Sequence, residues 1–275
     1  MGKRTQYEDA LRPLIGDGGE VLTAYLLAHS HLPGPRGNLE LAFAFARVVR
    51  ALSARTKEDG RRLWRMCTDL AKPPPAEAPV NDPRVMPVFC GTVGLAEVEP
   101  LSTWRARVWK TLRRLAADER WRVREAVAMA VQRMIERDRD GALTELSRWV
   151  ETDDWLVLRA VAAGLAEPRL LKDETTAAAA LDLHRAIFHR LAAAADRKAD
   201  AFKTLRQGLA YTLSVCVAAA PAAGFDLINT LIDRRDPDLT WILTRNLKKK
   251  RLSKPYPRQV ASALQRLASP QVDCS

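Results

Sequence analysis

One stretch of this chain recurs 34 residues further on, and the recurrence limits the fold more than any other feature. Residues 121–131 (WRVREAVAMAV) align without a gap on residues 155–165 (WLVLRAVAAGL), matching at Trp, Val, Ala, Val and Ala. Apolar residues at three- and four-residue spacing predict an amphipathic helix in each copy. A period of about 30 to 47 residues with two helices per unit is typical of α-solenoids, whose hairpins bury their apolar faces only against their neighbours. We therefore predict an all-α protein, an α-α superhelix of stacked helical hairpins.

An acidic turn precedes each matched helix. Asp118-Glu119 stands before the first copy and Asp153-Asp154 before the second, while Asp236-Pro237-Asp238 opens a third candidate. An aspartate in this place accepts hydrogen bonds from the free amides of the helix start and favours the helix dipole. The acidic turns therefore predict where the helices at about 121, 155 and 237 begin.

The order Asp, Val, Arg, Ala resembles the HEAT-repeat family, where it marks the turn and second helix of each hairpin. The best-matching positions are Asp118, Val123, Arg124, Ala126 and Ala130. The 154–165 copy has Leu158 where the family prefers Arg, and the 236–248 copy is weaker. Over roughly residues 100–250 the resemblance implies a HEAT-like, armadillo-like solenoid.

The rest of the chain divides at a proline-rich segment. Four helices are predicted before it, at 4–15, 19–28, 39–52 and 57–72, with Asn38 capping the third. The segment KPPPAEAPVNDPR that follows cannot be helical, because proline lacks an amide donor and restricts the residue before it. We predict N-terminal helical hairpins over 1–72, a Pro-rich linker or loop over 73–84, a HEAT-like repeat stack over 85–268 and a tail over 269–275. The segment is either a hinge between two stacks or a loop inside one.

The charge balance favours an acidic partner. Lys and Arg number 44 against 33 Asp and Glu, which gives a net charge of +11 and a pI near 9.9. Such a surface is typical of proteins that bind nucleic acid or an acidic protein face. An arginine-rich composition also accompanies GC-rich coding, so composition alone leaves both explanations open.

The motifs that the sequence lacks indicate the cellular compartment and the cofactors to expect. The four cysteines show no CxxC spacing, which argues against a zinc site and a disulfide framework. The longest apolar run, Leu213 to Phe225, is short and contains Pro221, and the N-terminus has no signal-type apolar core. We expect a cytoplasmic protein with no membrane contact, no metal and no small-molecule cofactor.

Tryptophan and arginine are concentrated in the centre of the chain. Five of the seven tryptophans fall between residues 104 and 155 among many arginines, including Arg122 and Arg124. Aromatic rings and guanidinium groups suit nucleic-acid backbones and unstacked bases. Alternatively, the tryptophans pack between hairpins and the arginines solvate the outer face. Arg122 and Arg124 are retained as anion-binding candidates.

The densest basic run lies near the C-terminus, at residues 246–254 (NLKKKRLSK). With Arg245 and Arg258 it holds seven positive charges and no negative one. Basic residues at a helix C-terminus also complement the helix dipole, so a solvated helix end is the alternative. The anion-binding candidates in this part are Trp241, Arg245, Lys248, Lys249, Lys250 and Arg251.

These features resemble one branch of the HEAT class, the DNA alkylation repair glycosylases similar to AlkD. The resemblance implies a basic concave face that grips duplex DNA, with tryptophans and an acidic residue near the damaged nucleotide. Only Trp149 is followed by an aspartate one helical turn later, Asp153, which is also placed to cap a helix. The two are the weak candidates for a catalytic pair, and the other positions of that site have no counterpart among the residues.

No motif names a reaction. The pairs His29/His31 and His184/His189 do not share a helix face as metal ligands four residues apart do, and no GxSxG or Walker sequence occurs. The leading hypothesis is a HEAT-repeat binding module or scaffold that presents a basic surface to a macromolecular partner without catalysis. The alternatives are a DNA-binding protein related to alkylation repair and, beyond that, an active glycosylase.

Overall fold

Helices form all the regular structure of the part of the chain described by the computed structural model, residues 3–17 and 19–269. No β-strand occurs within these ranges, so the all-α prediction is confirmed. The fifteen α-helices of these ranges are α1 (Lys3–Asp17), α2 (Glu20–Ala28), α3 (Leu39–Ser53), α4 (Lys57–Leu70), α5 (Val85–Leu95), α6 (Leu101–Ala116), α7 (Trp121–Arg137), α8 (Arg139–Val150), α9 (Trp155–Leu165), α10 (Glu174–Ala192), α11 (Asp200–Ala219), α12 (Pro221–Asp233), α13 (Pro237–Leu247), α14 (Lys250–Ser253) and α15 (Pro257–Ala268). A short 3-10 helix spans Leu170–Lys172.

Polar side chains fix the starts of α3 and α4. The side chain of Asn38 accepts a hydrogen bond from the amide of Leu41 at 3.0 Å, which confirms the predicted cap of α3. At α4, Thr56 accepts from the amide of Asp59 at 3.0 Å, while its hydroxyl donates to the Asp59 carboxylate at 2.8 Å. These bonds satisfy amides that have no partner inside the helix.

The three acidic turns differ in what they do. Asp154, rather than Asp153, caps α9, accepting from two backbone amides at 2.9 and 3.3 Å. Asp236 caps α13 in the same way, at 2.8 and 3.1 Å. Asp118 instead accepts from the amide and the guanidinium of Arg120, at 2.7 to 2.8 Å, so it holds a turn and no helix start.

The first compact unit ends at Arg137. In it, α1, α3, α5 and α7 pack one on the next, α4 packs on α3 and α5, and α6 packs on α7. Every residue of α5 is buried. Gly91 lets α4 approach α5, because an added Cβ there would lie 2.7 Å from the Cβ of Leu70 and 2.8 Å from the carbonyl oxygen of Cys67.

The proline-rich segment lies within this first unit. Residues 72–84 contain no helix, but Ala78 is buried. Arg120 donates to the carbonyl oxygen of Ala78 at 3.1 Å, and Arg122 donates to that of Val80 at 2.9 Å. Buried guanidinium groups therefore fasten the segment to the turn before α7 and to α7 itself.

The second compact unit begins at Asp138. Helices α9, α11 and α13 pack in succession, and α8, α10 and α12 pack in succession beside them. Helix α15 contacts both α12 and α13. These alternating contacts are consistent with a helical repeat.

Three of the cysteines, Cys67, Cys90 and Cys216, are free thiols in the core. Burial raises the pKa of the Cys67 and Cys90 thiols, and raises that of Cys216 to about 12. These thiols are therefore protonated and structural, while Cys274 lies outside the described residues. No described helix is both long and apolar enough to cross a bilayer.

Candidate nucleic-acid interface

The candidate interface lies on α13 and the segment after it, in the second unit. Helix α13 buries Leu239, Ile242, Leu243 and Leu247 and leaves Trp241 and Arg245 on its other side, and the exposed Lys248 follows its last turn. Basic and aromatic side chains stand on α13, on the neighbouring α11 and α14, and on the connection from α13 to α14. We call them the C-terminal basic surface: Arg206, Tyr211, Trp241, Arg245, Lys248, Lys249, Lys250 and Arg251.

Two guanidinium groups lie over the ring of Trp241. The Cζ atoms of Arg206 and Arg245 are 3.9 and 4.3 Å from the ring centroid. Arg206 also pairs with Asp238, with 2.7 Å between Nε and Oδ1. Arg245 is exposed and has no carboxylate partner among the described residues. Stacking on an indole orients a guanidinium while its N–H groups stay free to donate to an anion.

Tyr211 forms a second aromatic and cationic contact on the same surface. Its ring is 47% exposed, and the Cζ of Arg251 lies 4.8 Å from the ring centroid. Arg251 also donates to the Tyr211 hydroxyl at 3.0 Å, and the Nζ of Lys249 is 5.7 Å from the centroid. The ring therefore remains accessible to an incoming planar group.

The cations that the sequence predicted for this surface have no carboxylate partner. The sequence contains no Asp or Glu between Asp238 and Asp273. Among the described residues no carboxylate pairs with any cation of the predicted set on this surface: Arg245, Lys248, Lys249, Lys250 and Arg251. Elsewhere arginines are commonly paired, as Arg190 is with Glu151 at 2.7 Å. An acid-free group of cations attracts anions.

The two central candidates, Arg122 and Arg124, are not part of this surface. Both are buried in the first unit, with exposed fractions of 4% and 9%. Arg122 donates to backbone carbonyls at Gly34 and Val80, at 2.6 and 2.9 Å. Arg124 donates to the carbonyls of the turn at 118–119, at 2.6 and 2.8 Å. Burial lowers the pKa of both groups, and their hydrogen bonds are made within the fold, although Arg124 Nε is buried without a partner among the described residues.

The structure does not make a site of Trp149 and Asp153. Trp149 is fully buried, and its Nε1 donates to a carboxylate oxygen of Glu145 at 3.3 Å. Asp153 is fully exposed and pairs with Arg190 at 3.4 Å. The indole thus offers no free face to a nucleotide.

Sequence reasoning missed Arg206 and Tyr211, which both lie on α11. A weak signal existed, because Lys203, Gln207 and Tyr211 are four residues apart and form the exposed stripe of α11. Arg206 lies off this stripe, and nothing in the sequence showed that Arg206 meets α13 or that Tyr211 meets α14. Within the described ranges, no group of three or more His, Cys, Asp or Glu side chains is placed to hold a metal ion.

Comparisons with known proteins add little. No family model matches the sequence, and no curated protein is significantly similar to it. Among solved structures, the chain is similar to a crystal structure of an engineered protein from the Northeast Structural Genomics Consortium, at 15% identity and a TM-score of 0.30. The match covers 86% of this chain and 97% of the other. At that TM-score the similarity supports no functional argument.

Proposed function

We propose that this protein is a non-catalytic binding module of HEAT-like hairpins that holds nucleic acid on its C-terminal basic surface. The observation that carries the proposal is a group of cations without a carboxylate partner among the described residues, of which Arg245 lies over the ring of Trp241 and Arg251 over that of Tyr211. The module works as a scaffold in the cytoplasm, a compartment that suits the buried free thiols.

The proposed superhelix rests on two observations of different kinds. The sequence match at 34 residues predicts successive hairpins. In the second unit, alternate helices pack in two parallel successions, α9–α11–α13 and α8–α10–α12. Stacking of this kind presents side chains from successive helices on one continuous surface.

Nucleic acid suits the surface better than an acidic protein does. Tyr211 is the only large apolar side chain exposed in the described part of the second unit, whereas the centre of a stable protein interface is largely apolar. In nucleic-acid-binding proteins, cationic side chains bind the phosphates and accessible aromatic rings stack on the bases. No observation favours base removal by this chain, because Trp149 is buried and Asp153 is paired with Arg190.

The proposal is tested by binding a fluorescently labelled DNA duplex to the full chain over a series of salt concentrations. We expect log K to fall with log[salt], by about 0.9 in slope for each phosphate contact. Lys248→Gln with Lys250→Gln should weaken binding and reduce the slope. A matched control, Arg185→Gln with Lys198→Gln, removes two exposed charges from α10 and from the loop before α11 and should change both quantities much less.

Three outcomes contradict this proposal. If duplex and single-stranded probes both fail to bind at low salt, the partner is not nucleic acid, and an acidic protein becomes the class to test. A salt slope near zero would have the same meaning. If the control variant weakens binding as much as the variant of Lys248 and Lys250, only net charge is involved and the C-terminal basic surface is not the site.

A further inference from the structure

The first unit carries a second acid-free set of cations, on the outward face of α6. We infer that this face also binds the phosphate backbone of nucleic acid, so the inference rests on the proposed function. The residues are exposed on consecutive turns of the helix: Arg107, Lys110, Arg113 and Arg114. No Asp or Glu occurs between Pro100 and Ala117.

Aromatic packing holds α6 in place beneath these cations. Trp104 and Trp109 are buried on the inward face of the helix. The ring of Trp104 stacks on that of Trp64 from α4, with centroids 5.0 Å apart and planes inclined by 6°. The Cζ of Arg107 lies 5.6 Å from the centroid of Trp104. The cations therefore project from a rigid, well-packed helix.

On the neighbouring helix α4, two exposed arginines are neutralised by a carboxylate of the same helix. Arg61 and Arg65, also exposed, share Glu58 at 3.2 and 3.8 Å. On α6, by contrast, Arg107, Lys110, Arg113 and Arg114 have no carboxylate partner in the described ranges. An arginine-rich composition alone does not explain why one helix is paired and the next is not.

The spacing on α6 is unfavourable for the helix by itself. Lys110 has like charges three and four residues away, at Arg113 and Arg114, and such pairs destabilise a helix. Arg113 and Arg114 complement the negative end of the dipole, but Arg107 and Lys110 lie mid-helix, where that compensation is absent. Phosphate groups would relieve this repulsion.

The composition of the face selects nucleic acid over protein. Apart from its cations, α6 exposes only small or hydroxyl side chains, Ser102, Thr103 and Ala106, and it lacks the apolar centre of a protein interface. Lysine, arginine and hydroxyl groups are the usual partners of phosphate oxygens. From residue 107 to 114 the helix rises about 10 Å, whereas duplex DNA carries a charge every 1.7 Å or so along its axis. One face can thus meet more than one phosphate.

The test compares two matched double variants of the full chain for binding to the labelled duplex. Lys110→Gln with Arg114→Gln removes two unpaired charges from α6, and Arg61→Gln with Arg65→Gln removes two paired charges from α4. We expect the α6 variant to reduce the salt slope by about 0.9 for each phosphate that it no longer neutralises, and to weaken binding more than the α4 variant. Thermal unfolding of both variants checks that each is folded.

A chemical footprint provides an independent readout without any substitution. Lys110 and Lys57 are both exposed, and acetylation of each is followed by mass spectrometry with and without the duplex. We expect the duplex to protect Lys110 and to leave Lys57 reactive.

The outcomes separate this inference from the proposed function. If the wild-type chain binds the duplex and the variant of Lys248 and Lys250 weakens it, but the α6 variant matches the α4 variant and Lys110 stays reactive, only the role of α6 is overturned. If the wild-type chain binds no nucleic acid, the proposed function and this inference fail together.

Discussion

The side-chain oxygen of Asn246, on α13, accepts a hydrogen bond from the backbone amide of Ser214, on α11, at 2.8 Å. The amide nitrogen of Asn246 donates to the carbonyl oxygens of Leu209 and Ile242, at 2.9 and 2.8 Å. Asn246 is fully buried. A single side chain thus fixes the register of α13 along α11, and with it the position of Trp241 beside Arg206.

Replacing Asn246 should destabilise the protein. In Asn246→Ala, the buried amide of Ser214 and the buried carbonyl of Leu209 lose their side-chain partner. We expect this loss to lower the free energy of unfolding by about 2–3 kcal/mol. Asn229→Ala is the control, because Asn229 is exposed and accepts a hydrogen bond from Arg266 of α15 at the surface; it should change stability by less than about 0.5 kcal/mol. Urea unfolding measures both, and equal losses of stability would contradict the role given to Asn246.

Acidification should destabilise the second unit through His184. This side chain is buried, contacts the carbonyl of Ala180 and the hydroxyl of Thr212, and burial lowers its pKa to about 4 from 6.5. The unfolded chain therefore binds a proton that the folded chain excludes as pH falls from 6.5 to 4. The neutral, buried His184 contributes fully to the free energy of unfolding above pH 6.5. This contribution falls by about 3 kcal/mol as pH decreases from 6.5 to 4.

The measurement is thermal or urea unfolding from pH 7.5 to 4, on two variants. His184→Gln should flatten the pH dependence over this range, whereas His189→Gln, at an exposed position, should leave it unchanged. The difference between the two variants isolates the effect of His184 from that of other titrating groups. One of these is Glu97, whose pKa is raised by burial, so that acidification changes stability through Glu97 in the opposite direction. Parallel curves for the two variants would contradict the assignment.

A methyl group at Gly91 should be costly. Its Cβ would meet Leu70 and the backbone of Cys67 at under 3 Å, and overpacking of this kind costs about 1–3 kcal/mol. Gly16→Ala provides the contrast, because nothing lies within 4 Å of a Cβ there, inside α1; that change should be neutral or stabilise by up to about 1 kcal/mol. Similar unfolding free energies for the two variants would contradict the close approach of α4 and α5.

Arg122 should prove structural and not a ligand contact. Arg122→Gln removes donors to Val80 and Gly34 and is expected to lower the unfolding free energy by about 2 kcal/mol. Under conditions where the wild type and the Arg122 variant are both folded, the two should bind the duplex with the same affinity and the same dependence on salt. Arg36→Gln, at an exposed loop position, is the control for stability. Weaker DNA binding by a folded Arg122 variant would show that Arg122 contributes to the interface with DNA.

The candidate site was predicted only in part, for a physical reason. Sequence shows charge and periodicity, so the cations from Arg245 to Arg251 were identified as a group. It does not show burial, which depends on neighbours distant in the chain. Arg122 and Arg124 have the same composition signal as Arg245, yet they donate to carbonyls of a turn and of the Pro-rich segment, while Arg245 meets solvent.

The sequence by itself determined the helical class, because this depends on local periodicity. It also determined the caps at Asn38 and Asp236, which depend on local hydrogen bonds, and the absence of Asp and Glu from residues 239–272, which is a matter of composition. The tertiary structure alone decided which ring and which cation meet. Tyr211 and Arg251 are 40 residues apart and come together only because α14 packs against α11. Other long-range contacts buried Trp149 in the second unit and used donors of Arg122 in the first, since such contacts are set by the fold and not by spacing along the chain.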